Sequence, residues 1–389
     1  MHARTFQRRQ GIHEKMPEPA PDLWIDVSAA LTQRAGIARY ARGVTEALVA
    51  MDPASRGFTV GTYSHSWAGP GMRPFGVPHA GTRLTARQWR LRLMVGHLLQ
   101  RPILPGLGPY KRYFATDLAF PYAPADQVVV TVYDLTTLTH PQAHSPLTRF
   151  FARFMVSQLV RRQHRIVAIS HRTARDVTRL AGIDPSRITV IHPGVSEAFL
   201  TPPTSGTVDA ALARYGVTRP FVTTVGTLEP RKNLRRLIEA FRSVATTEER
   251  LIIVGARGWG ADATISDEFR GAGHVRAVGF VPDADLACLY HACAAFALPS
   301  LSEGYGFPVA EALACGADVI CSSECGVVEV VPETVTIVDP MDVEAIATAL
   351  RTRLDRPLHG GTSKVVRTYA QAAEAHATLV RQYPVRPVP

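Results

Sequence analysis

No stretch of this 389-residue chain holds the roughly 18 uninterrupted apolar residues that a bilayer span requires. The best candidate, 287–299, is too short and contains His291. Arg4, Arg8 and Arg9 near the start are followed by GIHEKMPEPAPD, which is polar and Pro-rich, so the apolar part of a signal peptide is missing. Together these absences predict a cytoplasmic protein. Cysteine is scarce: Cys288, Cys293, Cys315, Cys321 and Cys325 are an odd set without the paired C-x-x-C spacing and nearby histidines of a zinc site. They read as reduced, buried small residues. Low-complexity tracts and internal repeats are also missing, and a hydrophobic share of 46% excludes the disordered and fibrous classes. Only residues 1–21 read as a disordered tail.

What is present is unevenly charged. Up to residue 205 there are 25 Lys and Arg against 12 Asp and Glu, net +13; the remainder has 18 against 21, net −3. A basic half attracts nucleic acid, an anionic membrane surface or a phosphorylated acceptor, unless its arginines are merely solvated.

Short β-rich runs alternate with helical patterns throughout, which predicts parallel sheets covered by helices. The first series is DLWIDVS, FTVGTYS, QVVVTVYD and HRIVAIS; the second is FVTTVGT, RLIIVGA, VRAVGFV, AAFALPS, ADVICSS and VTIVD. Between them, 200–220 is rich in Pro and small residues and reads as a linker with a short helix. Two doubly wound domains facing each other across a cleft follow, with ligands beyond the carboxyl ends of the strands.

Two segments carry the chemistry. In FVTTVGTLEPRKNLRRLIEAF (221–241) a strand ends at Gly226, and Glu229, Pro230, Arg231 and Lys232 form a loop. Asn233 then stands where it would cap an amphipathic helix with Leu234, Leu237, Ile238, Phe241 and Val244 on its apolar side. Two cations ahead of a helix N-terminus suit a diphosphate. In PSLSEGYGFPVAEALACG (299–316), Glu303 and Glu311 are eight residues apart, with Gly304, Gly306 and Pro308 between them. Pro308 suits the start of a helix and Gly316 its stop, which puts Glu303 on a loop and Glu311 in the first helical turn. Both carboxylates are then available to sugar hydroxyls.

GTLEPRKN (226–233), VGARGWG (254–260), VGFVPDADLACLY (278–290) and the paired-glutamate segment, in this order, resemble the retaining nucleotide-sugar glycosyltransferases of family 4. WIDVSAALTQRAGIARYARGVTEAL (24–48) extends the resemblance towards the N-terminus, and the nearest likeness is to bacterial mannosyltransferase-like enzymes of surface-polysaccharide assembly. The resemblance implies the α/β GT-B fold: an acceptor-side Rossmann-like domain over 22–200, a nucleotide-sugar domain over 206–367, and a last helix over about 368–382 that returns to the first domain. It implies transfer of mannose or another hexose from a nucleotide-diphosphate sugar to a glycan or polyprenyl-diphosphate-linked acceptor, with no cofactor and no metal. By position, Arg231 and Lys232 would contact the donor diphosphate, Glu311 the ribose and Glu303 the donor sugar. Gly306 and Phe307 would offer backbone N–H groups, while Gly36 and Gly226 would line the donor site. Three positions depart from the family: Thr227 stands where many members have Arg, Ala38 where many have Gly, and Tyr133-Asp134 where relatives usually have His-Asp. Tyr133 would then replace the family histidine at the sugar, or donor preference has changed.

Other features divide between readings. Asp283 and Asp285 spell the D-x-D of metal-dependent transferases but follow Pro282, and read as helix-capping residues, with no essential metal expected. TARQWRLRLMVGHLLQR (85–101) is either an interfacial helix using Arg87, Arg90, Arg92 and Arg101 on anionic lipid or a helix with its apolar side in the core. His140, His164 and His192 read as non-catalytic. The alternatives to glycosyl transfer are a GT-B nucleotide-sugar epimerase and a non-catalytic basic binder of membrane or nucleic acid. The second leaves Glu303, Glu311 and PRKN unexplained, so no nucleic-acid partner is expected. A pyridoxal-phosphate phosphorylase would need a suitable lysine, and Lys232 and Lys364 alone follow residue 206.

Overall fold

The computed structural model describes the chain except for residues 1–20, 34–35, 67–72, 105–106, 108–110, 125–126, 259–264, 266–268, 270–272, 357–366 and 383–389. Much of the expected tail and the end of VGARGWG therefore lie outside the described residues.

Among the described residues the first domain holds seven parallel strands and the second holds six. The seven are β1 (Leu23–Asp26), β2 (Val60–Ser64), β3 (His79–Gly81), β4 (Arg112–Ala115), β5 (Val128–Val132), β6 (Arg165–Ala168) and β7 (Ile188–Val190). Their order is β3-β2-β1-β4-β5-β6-β7. The six are β8 (Phe221–Val225), β9 (Arg250–Val254), β10 (Val275–Gly279), β11 (Ala295–Leu298), β12 (Val319–Ser322) and β13 (Val335–Val338), ordered β10-β9-β8-β11-β12-β13. All pairings are parallel. Continuous apolar runs such as LIIV and AFAL suit strands covered by helices on both faces, and these strands are buried along their length. Each order reverses between two central strands, β1/β4 and β8/β11. Loops leaving such neighbours in opposite directions open a crevice for ligands.

One apolar cluster runs through both domains, joining Tyr40 and Val44 of the first to Leu289 and Phe296 of the second. The helix Tyr369–Gln382 packs on Gly36–Ala50 of the first domain. There Tyr40 Oη lies 2.7 Å from His376 Nε2, and a side chain at Gly43 would strike the Tyr369 ring. His376 Nδ1 lies 2.7 Å from the Ala372 carbonyl, so Nδ1 carries the proton and Nε2 accepts from the tyrosine. All five cysteines are free and buried.

The apolar residues of the helix Ala86–Leu99 are divided between core and surface. Thr85 closes a capping box with Gln88, and Trp89 and Leu93 are in the core. Leu91, Val95, Leu98 and Leu99 nevertheless face solvent, beside Arg87. Arg90 does not belong to that face: its guanidinium lies 5.1 Å from the centre of the Phe151 ring and borders a cavity in the cleft.

Candidate active site

The second domain presents its chemistry on the loops after β8 and β11, the two strands at its switch point. A side chain at Gly226 would sit 2.8 Å from Lys232 Cε, so glycine there lets the lysine fold back towards the strand end. Residues Pro230–Lys232 make a single 3-10 turn. Asn233 follows with φ of 58°, and its amide donates to the carbonyls of Pro299 (2.9 Å) and Pro340 (2.6 Å). The expected side-chain cap is therefore not formed; Asn233 instead ties the cation loop to the loop leaving β11.

That tie brings the sequence motifs together. Lys232 Nζ is 2.6 Å from Glu303 Oε1, which also accepts from Ser300 Oγ at 2.8 Å. Arg231 Nη1 is 2.9 Å from Glu303 Oε2 and donates to the Ser302 carbonyl (2.7 Å); its Nη2 reaches Glu229 at 2.5 Å. Burial alone would raise the Glu303 carboxyl, but the charges of Arg231 and Lys232 outweigh it and hold the group at about 2. Arg231 stays protonated because Glu303, Glu229 and Asp134 overcome the opposing effect of burial.

Gly306 takes φ of 93°, in the left-handed region that favours glycine, and opens the helix Phe307–Ala314. The first turn of any helix leaves N–H groups without intrahelical acceptors, so the Phe307 N–H is available to an anion or hydroxyl. Glu311 lies in the second turn, one turn later than the sequence indicated, because the helix begins at Phe307 and no acid occupies its first turn. Its carboxylate is buried, accepts from Tyr290 Oη at 3.3 Å, and pairs with Arg39 of the first domain. Burial keeps this carboxyl above its ordinary range despite the arginine. Arg39 also reaches Asp283 at 2.6 Å.

Asp283 and Asp285 do occupy a helix start, in the first turn of Asp283–Ala292, but neither caps it. Each is an ion-pair partner instead, Asp283 of Arg39 and Asp285 of Arg214, with Tyr215 Oη donating to Asp285 at 2.8 Å. Among the described residues no group of three His, Cys, Asp or Glu is arranged to hold a metal ion.

The first domain meets these loops closely. A side chain at Gly36 would be 2.9 Å from the Phe307 ring, and one at Gly304 would be 2.0 Å from the Tyr133 carbonyl. Ser170 Oγ donates to the Gly304 carbonyl at 2.6 Å. Tyr133 directs its hydroxyl to the Thr116 carbonyl (2.8 Å) and packs edge-on against Tyr40. Asp134 accepts from the backbone N–H and hydroxyl of Thr136 (2.9 and 2.6 Å). Tyr133, Asp134, Glu229 and Arg231 all border one cavity of the cleft.

Sequence reasoning missed Arg39, Asp117 and His144, which also stand at the cleft. Arg39 carries one available signal, its place on the helix that starts at Gly36. His144 follows a Pro-containing turn with no motif around it, and Asp117 follows a strand too short to register.

Comparison with known proteins agrees with this fold. Residues 214–373 match the model of glycosyl transferases group 1 and residues 34–199 that of glycosyltransferase family 4. The chain is 33% identical over 231 residues to O-antigen chain mannosyltransferase B of Escherichia coli, a match covering 57% of this chain and 60% of that protein. It thus spans less than two thirds of that relative's length. Among solved structures, Anabaena HepE in complex with UDP and glucose superposes with a TM-score of 0.64 at 16% identity, covering 94% of this chain and 97% of that one. WaaG, a glycosyltransferase involved in lipopolysaccharide biosynthesis, gives 0.63 at 18% identity, covering 93% and 96%. With one family model on each domain and the two-domain fold shared end to end, the chain belongs to the group 1, family 4 glycosyltransferases of GT-B fold.

Proposed function

We propose that this protein is a retaining, metal-independent glycosyltransferase that moves a hexose, most simply mannose, from a nucleotide-diphosphate sugar to a hydroxyl of a glycan or polyprenyl-diphosphate-linked acceptor in surface-polysaccharide synthesis. The observation that carries the reading is the buried clasp of Arg231 and Lys232 by Glu303, set between the switch-point loops of the second domain. The E. coli mannosyltransferase supports the choice of mannose.

In this mechanism Arg231 and Lys232 stabilise the charge that grows on the β-phosphate as its oxygen leaves the anomeric carbon. Fixed cations supply what a metal supplies elsewhere. Glu303 stays ionised at any physiological pH, so it accepts hydrogen bonds from donor hydroxyls and does not shuttle protons. The Gly306 and Phe307 N–H groups assist at the sugar, Gly36 and Gly226 leave room along the donor, and Glu311 takes the ribose hydroxyls. The acceptor oxygen attacks on the face the diphosphate leaves, the new C–O bond forms as the old one breaks, and the acceptor proton passes to the departing phosphate oxygen. Closure of the cleft excludes water.

The acceptor reading extends to the membrane. No helix among the described residues is long and apolar enough to cross one. The basic first domain and the exposed row Leu91, Val95, Leu98 and Leu99 beside Arg87 suit reversible docking on an anionic inner leaflet.

Thermal stabilisation and slow hydrolysis of GDP-mannose, UDP-glucose, UDP-N-acetylglucosamine and dTDP-rhamnose, each with EDTA, test the core of this reading. Stabilisation by one of them with turnover in the chelator is expected. Indifference to all four, or strict dependence on Mg²⁺ or Mn²⁺, would overturn it.

A further inference from the structure

The first domain has a switch point of its own. β1 and β4 are neighbours from which the strand order runs in opposite directions, and beyond their carboxyl ends lies a cavity of about 320 Å³. Its wall includes Asp26 from the end of β1, Asp117 just after β4, His65 after β2, and Arg90 from the helix Ala86–Leu99. At the side facing the second domain it is bordered by Glu229 and Arg231, the latter a member of the proposed phosphate site.

These groups differ in how far their hydrogen-bonding capacity is used. Asp26 is spent: its carboxylate accepts the Ser28 N–H and the Tyr113 hydroxyl, both at 2.8 Å. Asp117 accepts the Ala119 N–H through one oxygen (2.7 Å), and its other oxygen has no partner among the described residues. Arg90 makes the contact with the Phe151 ring but no hydrogen bond among the described residues. His65 Nδ1 is 3.2 Å from the Leu84 carbonyl, which leaves Nε2 open. An acceptor, a five-donor cation and a ring nitrogen are thus unspent around one cavity.

The charge of the wall selects the ligand. Asp26, Asp117, Asp134 and Glu229 are four acids against Arg90 and Arg231, with His65 and His144 also in the wall, and Arg231 is already shared with Glu303. Burial raises the Asp26 carboxyl and pushes Asp117 up to about 6, which leaves Asp117 ionised at neutral pH. A phosphate dianion entering here would meet an excess of negative charge. An uncharged ring with several hydroxyls would not, because each hydroxyl both donates and accepts.

We infer that this cavity takes the reacting unit of the acceptor, that this unit is a neutral sugar ring, and that Asp117 and Arg90 anchor its hydroxyls, any phosphate of the acceptor remaining outside. The inference rests on the glycosyltransferase reading and names the acceptor class for it.

The test uses the full chain with GDP-mannose as donor and two acceptor types, methyl α-mannoside or a neutral mannobioside against mannose 6-phosphate. Transfer to the neutral acceptors and little to the phosphorylated one is expected. In Asp117→Asn the KM for the neutral acceptor should rise roughly tenfold or more, the usual loss of a hydrogen bond to a charged group, while affinity for GDP-mannose and its hydrolysis stay as in the wild type. Arg90→Gln should act in the same direction, which keeps the test decisive if the Asn variant does not fold. Preference for mannose 6-phosphate, or an unchanged neutral-acceptor KM in folded Arg90→Gln and Asp117→Asn, overturns the inference while donor binding stands. A wild type that binds no nucleotide sugar overturns the transferase reading, and this inference with it.

Discussion

Arg39 and Glu311 belong to different domains, stand 272 positions apart and form an ion pair across the cleft, the carboxylate buried and the guanidinium half-buried. The arginine comes from the helix opened at Gly36 and the glutamate from the helix opened at Gly306, so each glycine-initiated helix delivers half of the pair. Glu311 is also the carboxylate proposed for the donor ribose; in that proposal a single residue joins nucleotide recognition to domain contact.

Removing the arginine leaves the buried Glu311 carboxylate uncompensated, at a cost of about 3 kcal/mol or more, whereas Arg39 keeps Asp283 when Glu311 is lost. Arg39→Gln should therefore lower the unfolding temperature strongly, and Arg39→Gln combined with Glu311→Gln should recover part of the loss. A double-mutant cycle by thermal or urea denaturation reads the coupling. Additive effects of the two changes would mean that the pair contributes nothing. Glu311→Gln alone should weaken donor binding without moving the pH optimum.

Arg231→Gln or Lys232→Gln should each reduce kcat by roughly a hundredfold, the usual effect of losing one donor to a developing anion. Steady-state kinetics at saturating donor would show it. A change confined to KM would remove that residue from leaving-group stabilisation.

Glu303 makes stability depend on acid. Its folded pKa of about 2 lies below its unfolded value near 4.5, so its contribution is complete above pH 4.5 and is lost as pH falls towards 2. Two and a half units correspond to something on the order of 3 kcal/mol. His376 acts earlier. Burial depresses it to about 4, so the folded state refuses a proton that the unfolded chain takes up once pH falls below about 6.5, and stability declines from there to pH 4. Unfolding temperatures measured from pH 7 to pH 3 should fall in both windows, and His376→Gln should flatten the upper one. An unaltered upper slope in that variant would contradict the assignment.

The proposed docking face can be tested separately from the active site. Leu91→Ser with Leu98→Ser should weaken binding to vesicles containing anionic lipid, and high salt should release the wild type. Arg87→Gln should add to the effect. Co-sedimentation indifferent to both salt and these changes would exclude this face, leaving transfer untouched.

Most of this architecture was legible where the sequence itself is local and continuous. All six strands of the second domain arise from apolar runs, and its site from two short motifs whose loops follow β8 and β11 directly. The first domain was harder. β3 and β7 are only three residues long, and β4 is a three-residue apolar run between Lys111-Arg112 and Thr116-Asp117, too brief for periodicity to register, although β4 is central. The acceptor cavity was hidden for the same reason, since Asp117 gains its meaning from β4. Arg39 was invisible for a different one: nothing near it in the chain indicates a partner beyond residue 280. Arg90 illustrates a third cause, because a helical pattern fixes which residues share a side but not which of two arginines turns inward.

At the rim of the first domain, residues 194–195 lie beside 367–369 at the start of the last helix. Val195 bridges to Thr368 and its N–H donates to the Arg367 carbonyl at 2.9 Å, while Gly194 lets the backbone of Tyr369 come within a distance that a side chain there would forbid. This seam fastens the start of the last helix to the edge of the first domain, and the same helix packs on Gly36–Ala50, which carries Gly36 to Phe307 and Arg39 to Glu311. The last segment of the chain thus buttresses, from behind, the helix that faces the second domain.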